Sequence, residues 1–351
     1  MATSSVNDIK NPKGRILVWL KRLGIGSVIF IFLILLGGYI FQAYTDSRTE
    51  SLYPPPGQLV DIGGYRLHYQ SRGSGSPVVV LDSGLAGGGF DWANIQPEVA
   101  KFTHVISYDR AGLWWSDRGP KERTSRQIVK ELHALLKQAE IPGPYVLVGA
   151  SFGGYNVRLF TDEYPEQVAG LVLVDSVIDL LQNDNIPESI RRANKNLIEL
   201  AEVGYFLAPF GVGHLIMPGL LGDLPAEIKD LYLAQSCKTS NFQTSCAEWL
   251  NLNISTSQMK GCRLPPDIPI AVLSASRSPN PEAPAEDQLI YLNIFHEEHA
   301  AIARQSTNSY HYIVPDSGHA IAFEKPDAVI DSIRRVVEAV RTKTKLMPPN
   351  R

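Results

Sequence analysis

From Leu23 to Tyr44 the chain runs for 22 residues without a charged side chain, LGIGSVIFIFLILLGGYIFQAY. About 20 apolar residues let a helix cross the hydrocarbon core of a bilayer. A segment apolar on every side has no face to leave in water. Lys10, Lys13, Arg15, Lys21 and Arg22 precede it, and Asp46, Arg48 and Glu50 follow. Positive charge flanking a span stays on the cytoplasmic side. The sequence therefore predicts a single-pass signal anchor with a cytoplasmic N-terminus and the rest of the chain across the membrane. A cleaved signal peptide fits less well, because it wants a shorter apolar core and small residues before the cut. Phe41-Gln42-Ala43 puts a bulky Phe there. The expected order is a basic tail over 1–22, the anchor over 23–44, and a short stiff linker over 45–57 containing Pro54-Pro55-Pro56.

Past Gln58, strand and helix signals alternate. Leu59-to-Ile62 and Tyr65-to-Tyr69 flank Gly63-Gly64 as a hairpin. Pro77-to-Leu81 (PVVVL), Tyr145-to-Val148 and Leu171-to-Val174 are short, wholly apolar runs, the mark of strands buried on both faces. His104-to-Tyr108, Ile268-to-Leu273 and Tyr310-to-Val314 supply further strands. Ile128, Val129, Leu132, Leu135, Leu136 and Ala139 recur at helical spacing, as do Val329, Ile330, Ile333, Val336, Val337 and Val340 after Pro326. Such alternation specifies an α/β fold, a mainly parallel sheet with helices on both faces. Its ligands bind at the carboxyl ends of the strands. The 33 Lys and Arg against 36 Asp and Glu leave a net charge of −3, which gives no electrostatic reason to expect a nucleic-acid partner. Three Cys without a CxxC pair suggest no zinc site. No metal or cofactor is expected.

One strand end carries reactive chemistry. After Tyr145-to-Val148 the chain reads Gly149-Ala150-Ser151-Phe152-Gly153-Gly154, the G-x-S-x-G nucleophile elbow, followed by a helix expected over 156–161. The turn lifts the Ser151 hydroxyl above the sheet at a helix N-terminus, whose free N–H groups face a reacting carbonyl. A seryl hydroxyl needs a base, and His suits neutral pH. Of the eight His, His68, His104 and His311 lie on strands, His133 on a helix and His214 in an irregular stretch. His296 and His299 are one turn apart as His-Glu-Glu-His, which is not the metalloprotease spacing and reads as a solvated helix face.

From about Gly64 to Val340 the chain resembles the α/β-hydrolase superfamily, most of all the branch with a D-R-x-G-x-G-x-S turn. That turn reads Asp109-Arg110-Ala111-Gly112-Leu113-Trp114-Trp115-Ser116 here, with Trp114 where Gly is usual. The resemblance implies that His319, in Pro315-Asp316-Ser317-Gly318-His319 after the last strand, is the base, in the order Ser…acid…His. It implies an oxyanion hole from the Leu85 N–H, in the loop Asp82-Ser83-Gly84-Leu85, and the Phe152 N–H. Ser83 stands where His is usual, and Ala150 where His precedes the nucleophile.

The acid departs from the pattern. The loop after the seventh strand, Ser274 to Pro281, has no carboxylate, so its first candidate is Glu282. Some relatives carry the acid one strand earlier, where Asp175 is expected to stand exposed at the end of the sixth strand. Asp175 is the first choice and Glu282 the second; a helix cap is the alternative role for Asp175.

The expected domain plan is a hydrolase core over 58–176 and 267–345, with a helical cap over 177–266 between strands six and seven. The apolar but Pro- and Gly-broken stretch 205–221 suggests a hydrophobic pocket. Cys237 and Cys246 are candidates for a bridge in an oxidising compartment. The resulting expectation is a membrane-anchored serine hydrolase, with Ser151, Asp175 and His319 cleaving an ester or related acyl bond of a small, hydrophobic substrate. An amidase or peptidase on the same scaffold, or an idle fold used for binding, are the alternatives. Epoxide hydrolases and dehalogenases of this superfamily use an Asp nucleophile, which Ser151 does not match.

Overall fold

The structure, a computed structural model, describes residues 12–179, 183–220 and 226–349. Lys10 and the rest of the tail up to residue 11, and Leu221 in the apolar stretch, lie outside the described residues.

Eight strands form one sheet in the order β1-β2-β4-β3-β5-β6-β7-β8. They are β1 (Gln58–Asp61), β2 (Arg66–Arg72), β3 (Val78–Asp82), β4 (Val105–Tyr108), β5 (Tyr145–Ala150), β6 (Val168–Val174), β7 (Ile270–Ala275) and β8 (Ser309–Val314). β1 and β2 pair antiparallel, as does β2 with β4, and every other pair is parallel. The apolar runs have their physical reason here. Along β3, Val78 and Val80 point into one buried layer and Val79 and Leu81 into the other. The first layer is covered by α3 (Ser125–Gln138), α4 (Gly153–Glu163) and the C-terminal end of α10 (Ala285–Ala303); the second by α2 (Gln96–Val99) and α12 (Pro326–Thr342). α3 starts where the Thr124 hydroxyl accepts from the Gln127 N–H, satisfying a donor that the first turn leaves free. The helix after the elbow is longer than its pattern predicts. It begins at Gly153, two residues after Ser151.

Between β6 and β7 rises a cap of α5 (Glu188–Leu207), α6 (Gly213–Leu220), α7 (Ala226–Cys237), α8 (Thr239–Leu250) and α9 (Leu252–Gln258). Cys237 and Cys246 are free thiols, so the bridge is not formed. Burial pushes both thiols up to about 11, which keeps them protonated and unreactive at neutral pH.

The N-terminal helix α1 (Pro12–Leu52) is long and apolar enough to cross a membrane. It does not stop at Tyr44. Residues 45–52 of the expected linker continue the helix, and only residues 53–57 are a non-helical connector. The cause lies in side chains at i, i+4 and i+8, which share a helix face. Gln42 donates to the Cys237 carbonyl (2.9 Å), Asp46 accepts from the Thr239 hydroxyl (2.7 Å), and Glu50 pairs with Lys238 (3.2 Å). The helix is docked onto the cap rather than spaced away from it.

Candidate active site

Two adjacent parallel strands end in the same unusual conformation. Ser151, after β5, has φ +50°, and Asp175, after β6, has φ +45°. Non-glycine residues hold such angles only where their surroundings over-determine them. Here the Ser151 N–H donates to the Val174 carbonyl (2.9 Å), and the Ser151 carbonyl accepts from Gly154 and Val177 (3.0 Å each). The elbow also needs its glycines. A Cβ on Gly149 would lie 2.5 Å from the Gly153 carbonyl oxygen, and one on Gly154 would collide with the Ser176 hydroxyl.

His319 lies between the two strand ends. The Ser151 hydroxyl donates to His319 Nε2 (2.9 Å), and His319 Nδ1–H donates to Asp175 Oδ2 (2.6 Å). The second oxygen, Asp175 Oδ1, accepts from the Ala275 N–H (2.7 Å). Asp175 is buried at 1% exposure, not exposed as expected. Its strand end is roofed by β7 and by the loop bearing His319. It does not cap the next helix, which starts only at Glu188. Glu282 is exposed on the far loop and is not among the groups touching His319. The strand-seven loop braces the His319 loop instead of supplying a carboxylate to it. Ser276 and Arg277 donate their N–H groups to the Ser317 carbonyl, and Arg277 pairs with Glu324, which also accepts from the Gly318 N–H.

The surroundings of His319 favour its protonated form. Burial disfavours the imidazolium of His319, but the hydrogen bond and charge of Asp175 outweigh it, so its pKa is raised above the ordinary value. Its side chain remains 41% exposed, facing the cavity. His296 and His299 prove not to be a solvated face. His299 is wholly buried, donating to the Ser176 carbonyl (2.7 Å), and His296 donates to the Ala275 carbonyl (2.8 Å). The Ser274 hydroxyl links His299 to His311. Burial lowers the pKa of His299 and of His311 to about 4, so these rings stay neutral behind the Asp175 strand end.

Over Ser151 lies the loop after β3. A Cβ on Gly84 would sit 3.3 Å from Ser151 Cβ, so the loop lies close against Ser151. Among the described residues neither the Leu85 nor the Phe152 N–H donates to a protein acceptor, which leaves both free for a ligand oxygen. The loop is held by a buried ionic cluster whose cap member, Glu248, the sequence did not single out. Arg110, 1% exposed, donates to Asp82 (2.8 Å), to the carbonyls of Ser83 and Gly84, and to both oxygens of Glu248 (2.7 and 2.9 Å). Glu248, on cap helix α8, also accepts from the Ala86 N–H (2.9 Å). Burial opposes the charge of Arg110, but Glu248 and Asp82 more than offset it, and its pKa is raised. Asp109-Arg110 is visible in the turn motif; Glu248 carries no local signal. Trp114, where Gly is usual, keeps the left-handed backbone that Gly would favour (φ +49°). Its ring is buried against Phe90 and edge-on to Tyr232, and its backbone N–H donates to Asn241 Oδ1 (2.7 Å).

A cavity of about 410 Å³ opens over Ser151 and His319, walled by Leu85, Trp249, Leu252 and Phe295. A second, of about 470 Å³, runs beneath the cap and shares Leu85, Asp91, Leu197, Trp249 and Phe323 with the first. Burial lifts Asp91 to about 6 against the hydrogen bond it accepts from Tyr232 (2.8 Å). Among the described residues no cluster of His, Cys, Asp or Glu could hold a metal ion.

Known proteins share this plan. An uncharacterized protein of Bacillus subtilis, YqjL, is 28% identical over 200 residues, which is 55% of this chain and 76% of its own. The 2-hydroxy-6-oxo-6-(2'-aminophenyl)hexa-2,4-dienoic acid hydrolase of Metapseudomonas resinovorans is 30% identical over 131 residues, 37% of this chain and 44% of that enzyme. The structure of an epoxide hydrolase, CorEH, superposes with a TM-score of 0.67 over 81% of this chain and 99% of its own, at 20% identity. Residues 78–332, well over half of the sequence, match the alpha/beta hydrolase family, and the chain belongs to that family.

Proposed function

We propose that this protein is a membrane-anchored serine hydrolase that cleaves an ester or related acyl bond, with its hydrolase domain on the extracytoplasmic side. The observation that carries the reading is the unbroken chain Ser151 Oγ–His319–Asp175, with a 2.9 Å and a 2.6 Å hydrogen bond, beneath two free N–H groups. Ser151 Oγ attacks the acyl carbonyl as His319 Nε2 takes its proton. The oxyanion forms against the N–H groups of Leu85 and Phe152, each such donor contributing about 3–4 kcal/mol of barrier lowering. The C–O bond breaks, and the leaving alcohol receives the proton from His319. Water then attacks the acyl-enzyme, giving its proton to the same nitrogen, and the acid leaves as Ser151 Oγ is reprotonated. Asp175 holds Nδ1–H and stabilises the imidazolium through both steps.

Relatives and structural neighbours include epoxide hydrolases. A serine opening an epoxide would be left as an ether, which water cannot release by adding to a carbonyl, so the Ser at the elbow supports acyl chemistry. The test is a fluorophosphonate probe on the full-length protein. We expect label on Ser151 alone and none in Ser151→Ala; label persisting in that variant removes Ser151 from the reaction. Orientation is checked by protease added to intact spheroplasts, which should reach the domain.

A further inference from the structure

Helix α1 fixes the depth of the cap relative to a bilayer. The uncharged stretch ends at Tyr44, and Gly38 lies six residues earlier, about 9 Å along the axis at ~1.5 Å per residue. At that level the helix touches the cap: a Cβ on Gly38 would lie 2.5 Å from the Phe210 carbonyl oxygen. One turn higher, Phe41 packs edge-on against His214, and Gln42, only 1% exposed, has its amide covered by the Cys237 carbonyl. The end of α5 and the start of α6 therefore stand level with the outer part of the span.

The residues there are those a bilayer would take. On α5, Leu200, Val203, Phe206 and Leu207 follow at i, i+3, i+6 and i+7 and are 45, 55, 68 and 36% exposed; on α6, Leu215 is 84% exposed. A soluble domain rarely leaves so many large apolar side chains contiguous. The same face forms the mouth of the under-cap cavity. Leu197, Leu200 and Phe323 are each more than 40% exposed and also line it, and that cavity shares part of its wall with the one over Ser151.

We propose that the α5–α6 face of the cap is embedded in the outer leaflet, and that the acyl chain of a membrane lipid ester enters the cavity sideways between Leu197, Leu200 and Phe323. The lipid is the occupant of this face because the chain's own span meets the cap at the depth of the exposed residues. Interfacial helices bury their apolar face about 5–10 Å into the headgroup and acyl boundary, which matches the level of Gly38. This inference rests on the anchored-hydrolase reading, and the experiments separate the two.

Full-length protein is reconstituted in phosphatidylcholine vesicles. Leu215→Trp and Phe206→Trp should each add fluorescence that brominated lipid quenches, whereas a Trp replacing exposed Met347 on the C-terminal tail should not be quenched. Equal behaviour at all three positions overturns the embedded face whatever the enzyme's activity. Chain that fails to float with the vesicles overturns the anchor as well. For the route, Phe206→Glu and Leu215→Glu are assayed on a long-chain fluorogenic ester within the vesicles and on soluble p-nitrophenyl acetate. The inference expects about a tenfold loss on the embedded ester in each variant, with the acetate rate unchanged. Equal rates on the embedded ester overturn the lateral route. If wild type cleaves neither ester, the hydrolase reading fails, while the quenching result still decides the membrane face. Cross-linking of Leu215→Cys to itself between two chains, in place of quenching, would assign the face to a second copy.

Discussion

The carboxyl edge of the sheet and the cap above it make the site by different means. Ser151 and Asp175 sit on neighbouring strand ends, and His319 on a loop tied to the next strand end by backbone hydrogen bonds. Their positions follow from the packed strands and from hydrogen bonds between neighbouring strand ends. The loop carrying Leu85 is instead gripped by Arg110 between a core carboxylate, Asp82, and a cap carboxylate, Glu248. On the proposed reading the reacting groups and the Phe152 N–H belong to the sheet edge, while the loop bearing Leu85 and the cavity depend on the cap, which is fastened to α1. Changes in the first region should stop chemistry without loosening the fold, and changes in the second should do both.

The largest effect sharpens the first half of that contrast. Ser151→Ala should lower kcat by about 10⁶-fold, leaving the thermal midpoint within a degree or so of wild type. Next, Asp175→Asn should cost roughly 10⁴-fold in kcat with KM little changed, because the ring loses its orienting acceptor and its counter-charge. Glu282→Gln should stay within twofold. The opposite ranking would move the acid to the strand-seven loop. Asp175 is buried, so circular dichroism and the midpoint of the Asn variant must be read beside its rate.

Glu248→Gln tests the second half. Arg110 keeps Asp82 but loses the charge of its cap partner, and breaking a buried pair from one side costs about 3 kcal/mol. The loop then holds Leu85 less firmly, so turnover should fall roughly 10- to 100-fold, less than loss of a whole donor region. A lowered midpoint with full activity would show that the cap leaves the oxyanion loop alone, and the contrast between the two regions would collapse.

How much was legible follows the same division. Ser151 and His319 stand out because local rules announce them: a glycine elbow after an apolar run, and a lone His after the last strand. Asp175 and Glu282 stay open in the sequence because an acid at a strand end and one in a loop look alike until the strand order is known. β6 lies beside β5, and that adjacency brings Asp175 to His319. Glu248, Tyr232 and the Gln42–Asp46–Glu50 face are illegible for a related reason. Their partners lie more than a hundred residues away, and nothing in a helix's own periodicity names a distant partner. His299 misleads in the opposite sense. Its Glu neighbours suggest solvent, but it faces inward, where Ser274 and the Ser176 carbonyl satisfy both ring nitrogens.

The smallest effect concerns pH. Only neutral His319 can accept the Ser151 proton, so activity falls as pH drops through its pKa. Burial pulls that pKa down, but the hydrogen bond and charge of Asp175 raise it beyond the ordinary imidazole value of about 6.5. The acid limb of kcat/KM should therefore lie above that value, at the expense of activity in mildly acidic medium. In Asp175→Asn the hydrogen bond and charge of the carboxylate are gone, while burial and the weaker raising influence of Glu324 remain, so the limb of the residual activity should move to lower pH. Phosphonate labelling rates measured between pH 5 and pH 9 report this without knowledge of the natural substrate. A limb that stays in place in Asp175→Asn would mean that the carboxylate neighbouring His319 does not govern its charge, and that the sheet edge orients the base by geometry alone. A limb that moves, with the rate loss above, ties orientation and charge to the same 2.6 Å hydrogen bond.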